Sequence, residues 1–133
     1  MSGSGDKTVQ IWNVATCKTR YILTGHTSEV TSVAISRDDH FMVSGSYDKT
    51  VRIWDTAMGE LLHELTGHAD EVMSVVVSPN CRHIASGSHG EVWIWTVDGI
   101  IEHKLKCPTK GLKQIYHLAF SHDGFCVGDP CYV

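Results

Sequence analysis

The chain has 133 residues, of which 42% are hydrophobic and 20% charged, a composition that suits one globular domain and excludes a disordered polyelectrolyte. Its 11 lysines and arginines against 15 acidic residues give a formal net charge of −4. With no basic run, neither nucleic acid nor an anionic membrane is an expected partner, and no stretch of 18 apolar residues offers a transmembrane helix.

The first segment, Ser2-Gly-Ser-Gly-Asp-Lys-Thr-Val-Gln-Ile-Trp-Asn13, reads as the end of one strand, a tight turn and a second strand, with a further strand running to Leu23. Residues 30–36 are rich in β-branched side chains and end at the turn Arg37-Asp-Asp39. Strands are expected at 40–45, 51–54 and 60–65. The pattern then starts again, with strands at 72–78, 82–87, 92–95 and 100–106 and a turn at Pro79-Asn-Cys81. Residues 114–121 and 125–127 read as the last two strands. No segment holds a 3.6-residue apolar period, so no helix is expected.

The recurrence is literal. Ser44-Gly-Ser-Tyr-Asp-Lys-Thr-Val-Arg-Ile-Trp-Asp55 repeats the opening segment 42 residues on, and Thr24-Gly-His26 returns as Thr66-Gly-His68 at the same spacing. Trp54 returns as Trp95, 41 residues on, because one residue is missing between Ser88 and Val92. Four strands in a period of roughly 40–45 residues match propeller blades.

The Gly-His pair, the Ser-Gly-Ser-x-Asp-Lys-Thr run and the Ile-Trp-Asp ending resemble WD40 repeats over nearly the whole chain. The resemblance implies an all-β fold, a WD40-type β-propeller segment of about three four-stranded blades. It divides the chain into a partial repeat at 1–26, repeats at 27–68 and 69–107, and a partial repeat at 108–133. Three blades do not close a ring, so completion by homo-oligomerisation is expected, with a dimer favoured. A fragment of a larger WD40 array, of the kind attached to signalling NTPases, is the alternative.

The resemblance also implies one buried polar network per blade. His26, Ser44, Asp48 and Trp54 supply it in full. The Asp48 carboxylate takes an N–H from His26, whose other nitrogen accepts from the Ser44 hydroxyl, and the Ser44 oxygen accepts the Trp54 indole N–H. His68, Ser86 and Trp95 lack the aspartate, so His68 is expected to bond water or backbone in a looser blade. Ser2, Asp6 and Trp12 lack the histidine. A catalytic reading of Ser/His/Asp is set aside because the serine is committed to tryptophan and no nucleophile elbow accompanies it.

Function then rests on the rim. The family grips proteins and peptides there, and its contact positions map onto Glu29, Thr31, Tyr47, Glu71, Met73, His89, Gln114 and Tyr116. A non-enzymatic protein-interaction module or scaffold is expected, without cofactor or metal. A hydrolase or a small-ligand binder using rim residues is the reading from another class. The scattered, odd-numbered set Cys17, Cys81, Cys107, Cys126 and Cys131 fits a reducing, cytoplasmic setting. Lys104, Lys106, Lys110 and Lys113 form a loose basic cluster that reads as a solvated loop, with a phosphate site as the alternative.

Overall fold

The computed structural model describes residues 2–3, 5–106, 117–120 and 126–129, with side chains at 5–106 and 118–120. Among these, the chain forms thirteen strands in four antiparallel sheets and no helix. Sheet 1 holds β1 (Ser2–Gly3), β2 (Val9–Asn13) and β3 (Lys18–Leu23). Sheet 2 is the meander β4 (Val30–Ile35), β5 (Phe41–Ser46), β6 (Val51–Asp55) and β7 (Leu61–Leu65). Sheet 3 repeats it as β8 (Ser74–Val77), β9 (His83–Gly87), β10 (Glu91–Thr96) and β11 (Ile101–Lys106). Sheet 4 pairs β12 (His117–Phe120) with β13 (Cys126–Asp129).

The sheets stack face on face because their strands alternate apolar residues onto both sides. Val9 and Leu23 of sheet 1 share a core with Met42 and Trp54 of sheet 2. The opposite face of sheet 2 puts Phe41, Val43, Val51, Ile53 and Leu65 against Val75, Ile84, Trp93 and Trp95 of sheet 3. Leu118 of sheet 4 covers Ala85 and Val92 on the far face of sheet 3. β5 is buried along its whole length because it is central in its sheet and covered on both faces.

The innermost strands β4, β8 and β12 are stitched in sequence by a repeated serine. Ser32 Oγ accepts the Val75 N–H at 3.2 Å, and Ser74 Oγ accepts the Leu118 N–H at 3.1 Å. The turns repeat as well. Ser36 Oγ donates to Asp38 and Ser78 Oγ donates to Asn80, both at 2.6 Å, and the residues that follow, Asp39 and Cys81, take φ of 60° and 59°. Short polar side chains that bond their own turn make these left-handed positions tolerable.

One expected boundary moves by two residues. β8 begins at Ser74, not at residue 72, because the Val72 N–H donates across to the Ser46 carbonyl of sheet 2 at 3.0 Å. β1 stands as a strand of its own beside β2, paired through Ser2↔Gln10 and Gly3↔Val9. Lys104 and Lys106 lie in β11. Lys104 Nζ sits 4.2 Å from the Trp93 ring centroid, and Lys106 Nζ is 3.8 Å from Glu91 Oε1.

Candidate functional site

The β5–β6 hairpin and the loop entering β4 converge at one end of sheet 2. His26 lies in that loop, Ser44 on β5, Asp48 in the hairpin turn and Trp54 on β6. His26 Nδ1 is 2.8 Å from Asp48 Oδ2, and His26 Nε2 is 2.7 Å from Ser44 Oγ. Trp54 Nε1 donates to Ser44 Oγ at 2.9 Å. The serine oxygen accepts from the indole, so its own hydrogen goes to His26 Nε2. His26 then carries its proton on Nδ1 and gives it to Asp48. Burial holds the His26 pKa below its ordinary value, against the opposing pull of Asp48.

Asp48 gathers more donors than the sequence pattern implies. Thr27 N, Thr50 N and Thr50 Oγ1 donate to its two oxygens at 3.0, 2.9 and 2.6 Å. Burial pushes the Asp48 carboxyl upward, but the bonds from Thr50, His26 and Thr27 outweigh it and leave the pKa below the usual range. The Lys-Thr of the motif thus has a visible task, since the threonine after the turn clamps the aspartate. Asp6 does the same in the β1–β2 turn, accepting from Thr8 N at 3.0 Å and Thr8 Oγ1 at 2.6 Å. Trp12 is 44% exposed, whereas Trp54 and Trp95 are 3% and 2% exposed. Ser2 lies in β1, and its side chain falls outside the described residues.

Sheet 3 builds half the network. His68 Nε2 is 2.6 Å from Ser86 Oγ, which accepts the Trp95 indole N–H at 2.8 Å. His68 Nδ1 is buried with no hydrogen-bond partner among the described residues. Ser86 thus holds one ring nitrogen, as the resemblance implies, and none of the described groups takes the aspartate's place at the other. Instead the imidazole stacks on Trp93, with centroids 4.4 Å apart and planes 26° apart. His68 is 5% exposed, and burial pulls its pKa down to about 4. Trp93, which no sequence motif singles out, is fixed in turn by its indole N–H to Glu91 Oε2 at 3.0 Å.

The shortened turn shows where the missing residue was lost. Lys7, Lys49 and Gly90 take φ of 71°, 71° and 69°, each two positions before the valine that opens the apolar run of its strand. Counted from that valine, His89 stands in the place of Asp48 and not of Tyr47. His89 Nε2 is also buried without a partner among the described residues.

The rim residues of sheets 2 and 3 meet at this same end. The Glu29 carbonyl accepts Tyr47 N at 3.0 Å, and the Glu71 carbonyl accepts Ser88 Oγ at 2.9 Å beside His89. Met73 N donates to the Gly87 carbonyl at 2.8 Å. Thr31 Oγ1 donates to the Val72 carbonyl at 2.6 Å, so that hydroxyl ties the two sheets together. Glu29 and Glu71 are exposed, and Thr31, Tyr47, Met73 and His89 are half-buried. Gln114 and Tyr116 lie outside the described residues. A separate apolar cleft of about 280 Å³ opens between sheets 1 and 2, lined by Ile11, Arg20, Ile35, Met42, Thr56 and other residues. Its lining comes from several separate segments, and no motif announces it.

The profile of the WD40 family (WD domain, G-beta repeat) matches residues 17–55 and 59–96, more than half of the chain. Each match runs from the outer strand of one sheet through the first three strands of the next. The small ribosomal subunit protein RACK1y of Oryza sativa subsp. japonica is 43% identical over 44 residues, covering 33% of this chain and 13% of that protein. The solved structure of U3-55K superposes with a TM-score of 0.79 at 24% identity, over 86% of this chain and 36% of that one. The chain therefore spans well under two thirds of either relative. Repeated motif, stacked four-stranded sheets and profile agree, and the chain belongs to the WD40-repeat β-propeller family.

Proposed function

We propose that this chain is a non-catalytic scaffold that grips a peptide or protein domain on the end bearing Glu29, Thr31, Tyr47, Glu71, Met73 and His89, with Gln114 and Tyr116 continuing the series. Membership of a family of protein-interaction propellers supports this reading. The observation that carries it is the convergence of the first six of these positions at one end, where Glu29 and Glu71 are exposed and Tyr47 and Met73 half-buried. Such a surface suits a partner offering a basic group beside an apolar one. The serines argue against catalysis, because Ser44 and Ser86 are fully buried and already accept an indole N–H.

The test is affinity capture from cell extract with the native chain and a Tyr47→Ala/Glu71→Lys double variant. Loss of the proteins captured by the native chain is the expected outcome. An unchanged set overturns the rim assignment.

A second reading concerns self-association. Two copies would supply a ring of about six blades, with β12–β13 of one copy taking the place of β1 beside β2–β3 of the other in a shared blade. The exposure of Trp12 on sheet 1 and of Leu105 on sheet 3 favours it. A cytoplasmic setting is the matching proposal for location. The short match to a ribosomal-subunit protein and the free thiols of Cys17 and Cys81 support it.

A further inference from the structure

The repeat register places one leucine and one tryptophan at each of the two contacts among sheets 1, 2 and 3. Val9↔Leu23, Val51↔Leu65 and Val92↔Leu105 are equivalent pairs between the third and fourth strands of their sheets. Trp12, Trp54 and Trp95 are equivalent positions on the third strands. Within the array, Leu23 of sheet 1 shares a core with Trp54 of sheet 2, and Leu65 of sheet 2 shares a core with Trp95 of sheet 3. Both leucines are 3% exposed, and the two tryptophans 3% and 2%. The series leaves one leucine and one tryptophan over. Leu105, on the outward face of sheet 3, is 51% exposed, and Trp12, on the outward face of sheet 1, is 44% exposed.

We infer that these are the two halves of one contact, and that the Leu105 face of one copy receives the Trp12 face of a second copy, head to tail. The inference rests on the self-association proposed above and names its faces. Three observations support a second copy as the occupant. The contact continues one that the chain already makes twice, in the same register and with the same residue types. The outward face of sheet 3 is half covered, since β12 seats Leu118 on Ala85 and Val92, while the outer strand beside them stays open. Sheet 1 offers the missing outer half, with Ile22 at 58% exposure paired to Gln10 on the side that Trp12 faces. Unlike faces meet in such a contact, so it is heterologous, and a ring results where the rotation closes.

The experiment is light scattering on the 133-residue chain and on Trp12→Glu and Leu105→Glu variants, with circular dichroism as the check on folding. Both sites are exposed in the single chain, so both variants should keep its fold. Val14→Glu, at 90% exposure in the turn after β2, is the control. The native chain should show about twice its 14.7 kDa, each face variant should fall to the single-chain mass, and the control should match the native chain. An equimolar mixture of the two variants should recover a two-chain species, because one intact Trp12–Leu105 contact survives in that pair.

A native chain of single mass overturns both the inference and the self-association beneath it, leaving the faces to a different protein segment. Face variants that still associate overturn the inference alone. Variants that dissociate but do not complement each other overturn the head-to-tail pairing. A control that dissociates equally removes the face assignment.

Discussion

His26 and His68 occupy the same place in successive sheets, and their difference measures what one carboxylate does. His26 donates its Nδ1–H to Asp48, while His68 Nδ1 is buried without a partner among the described residues. An unsatisfied buried polar group costs about 1–3 kcal/mol. Because His89 stands in the aspartate's place by backbone register, His89→Asp should raise stability by about 1–2 kcal/mol in urea titrations. A midpoint that stays put or falls would show that the shortened turn aims the side chain elsewhere. The buried imidazoles also set a pH dependence. His68 titrates near 4 in the folded chain and near about 6.5 in the unfolded one. The unfolded state therefore binds more protons between these values, and stability rises with pH across that window. Its contribution is intact above about pH 6.5 and declines as pH falls toward 4, by about 2 kcal/mol at pH 5. His26, also lowered by burial, acts in the same direction. Denaturant titrations at pH 7 and 5 should record this loss, and a His68→Asn chain should lose less. Equal losses in both chains would remove His68 as the cause.

At the scale of strands and turns, the Gly-His pair owes its glycine to the side chain lying on it. Gly67 has φ of +132°, and a Cβ there would stand 2.8 Å from Trp93 Cζ3. Since Trp93 is held between His68 and the Glu91 bond, it has little room to withdraw. Gly67→Ala should therefore destabilise the chain by about 2 kcal/mol through strain and disrupted stacking, read as a lower thermal midpoint. A shift no larger than that of an exposed-loop substitution would mean the ring moves freely. Most strands are legible in the residue pattern because two signals coincide in them, β-branched alternation and a recurring turn motif. β5 and β6 show both, and their limits fall within a residue of expectation. The start of β8 is not legible in this way, since Val72 has strand-like chemistry but spends its N–H on another sheet. The polar network can be read from residue types alone, because Ser, His, Asp and Trp have few ways to satisfy one another. The stacking of His68 on Trp93 cannot be read so, because a tryptophan in an Ile-Trp run looks like any core residue. The extra clamp from Thr50 is hidden for a similar reason, since a threonine after a tight turn has the chemistry of an ordinary strand former.

On the scale of the whole molecule, each sheet touches only its neighbours, so stability should be distributed along the array as it is in other stacked repeats. Sheet 2 has a core cluster on both faces, one shared with sheet 1 and one with sheet 3. The outer strand β11 is exposed at all six positions, and β2 has exposed residues at its end. Amide exchange should accordingly be slowest in β5 and β6 and faster in β2, β3 and β11, because local opening follows buried contact. The dependence on concentration carries further information. If copies join through the Trp12 and Leu105 faces, amides of β2, β3 and β11 should gain protection as the chain is concentrated, while those of β5 should change little. Exchange measured by mass spectrometry at dilute and concentrated extremes gives both readings in one series. Uniform protection along the chain would contradict the neighbour-only account of its stability. A concentration effect centred on β5, which is already enclosed by two cores, would mean that the joining surfaces lie elsewhere.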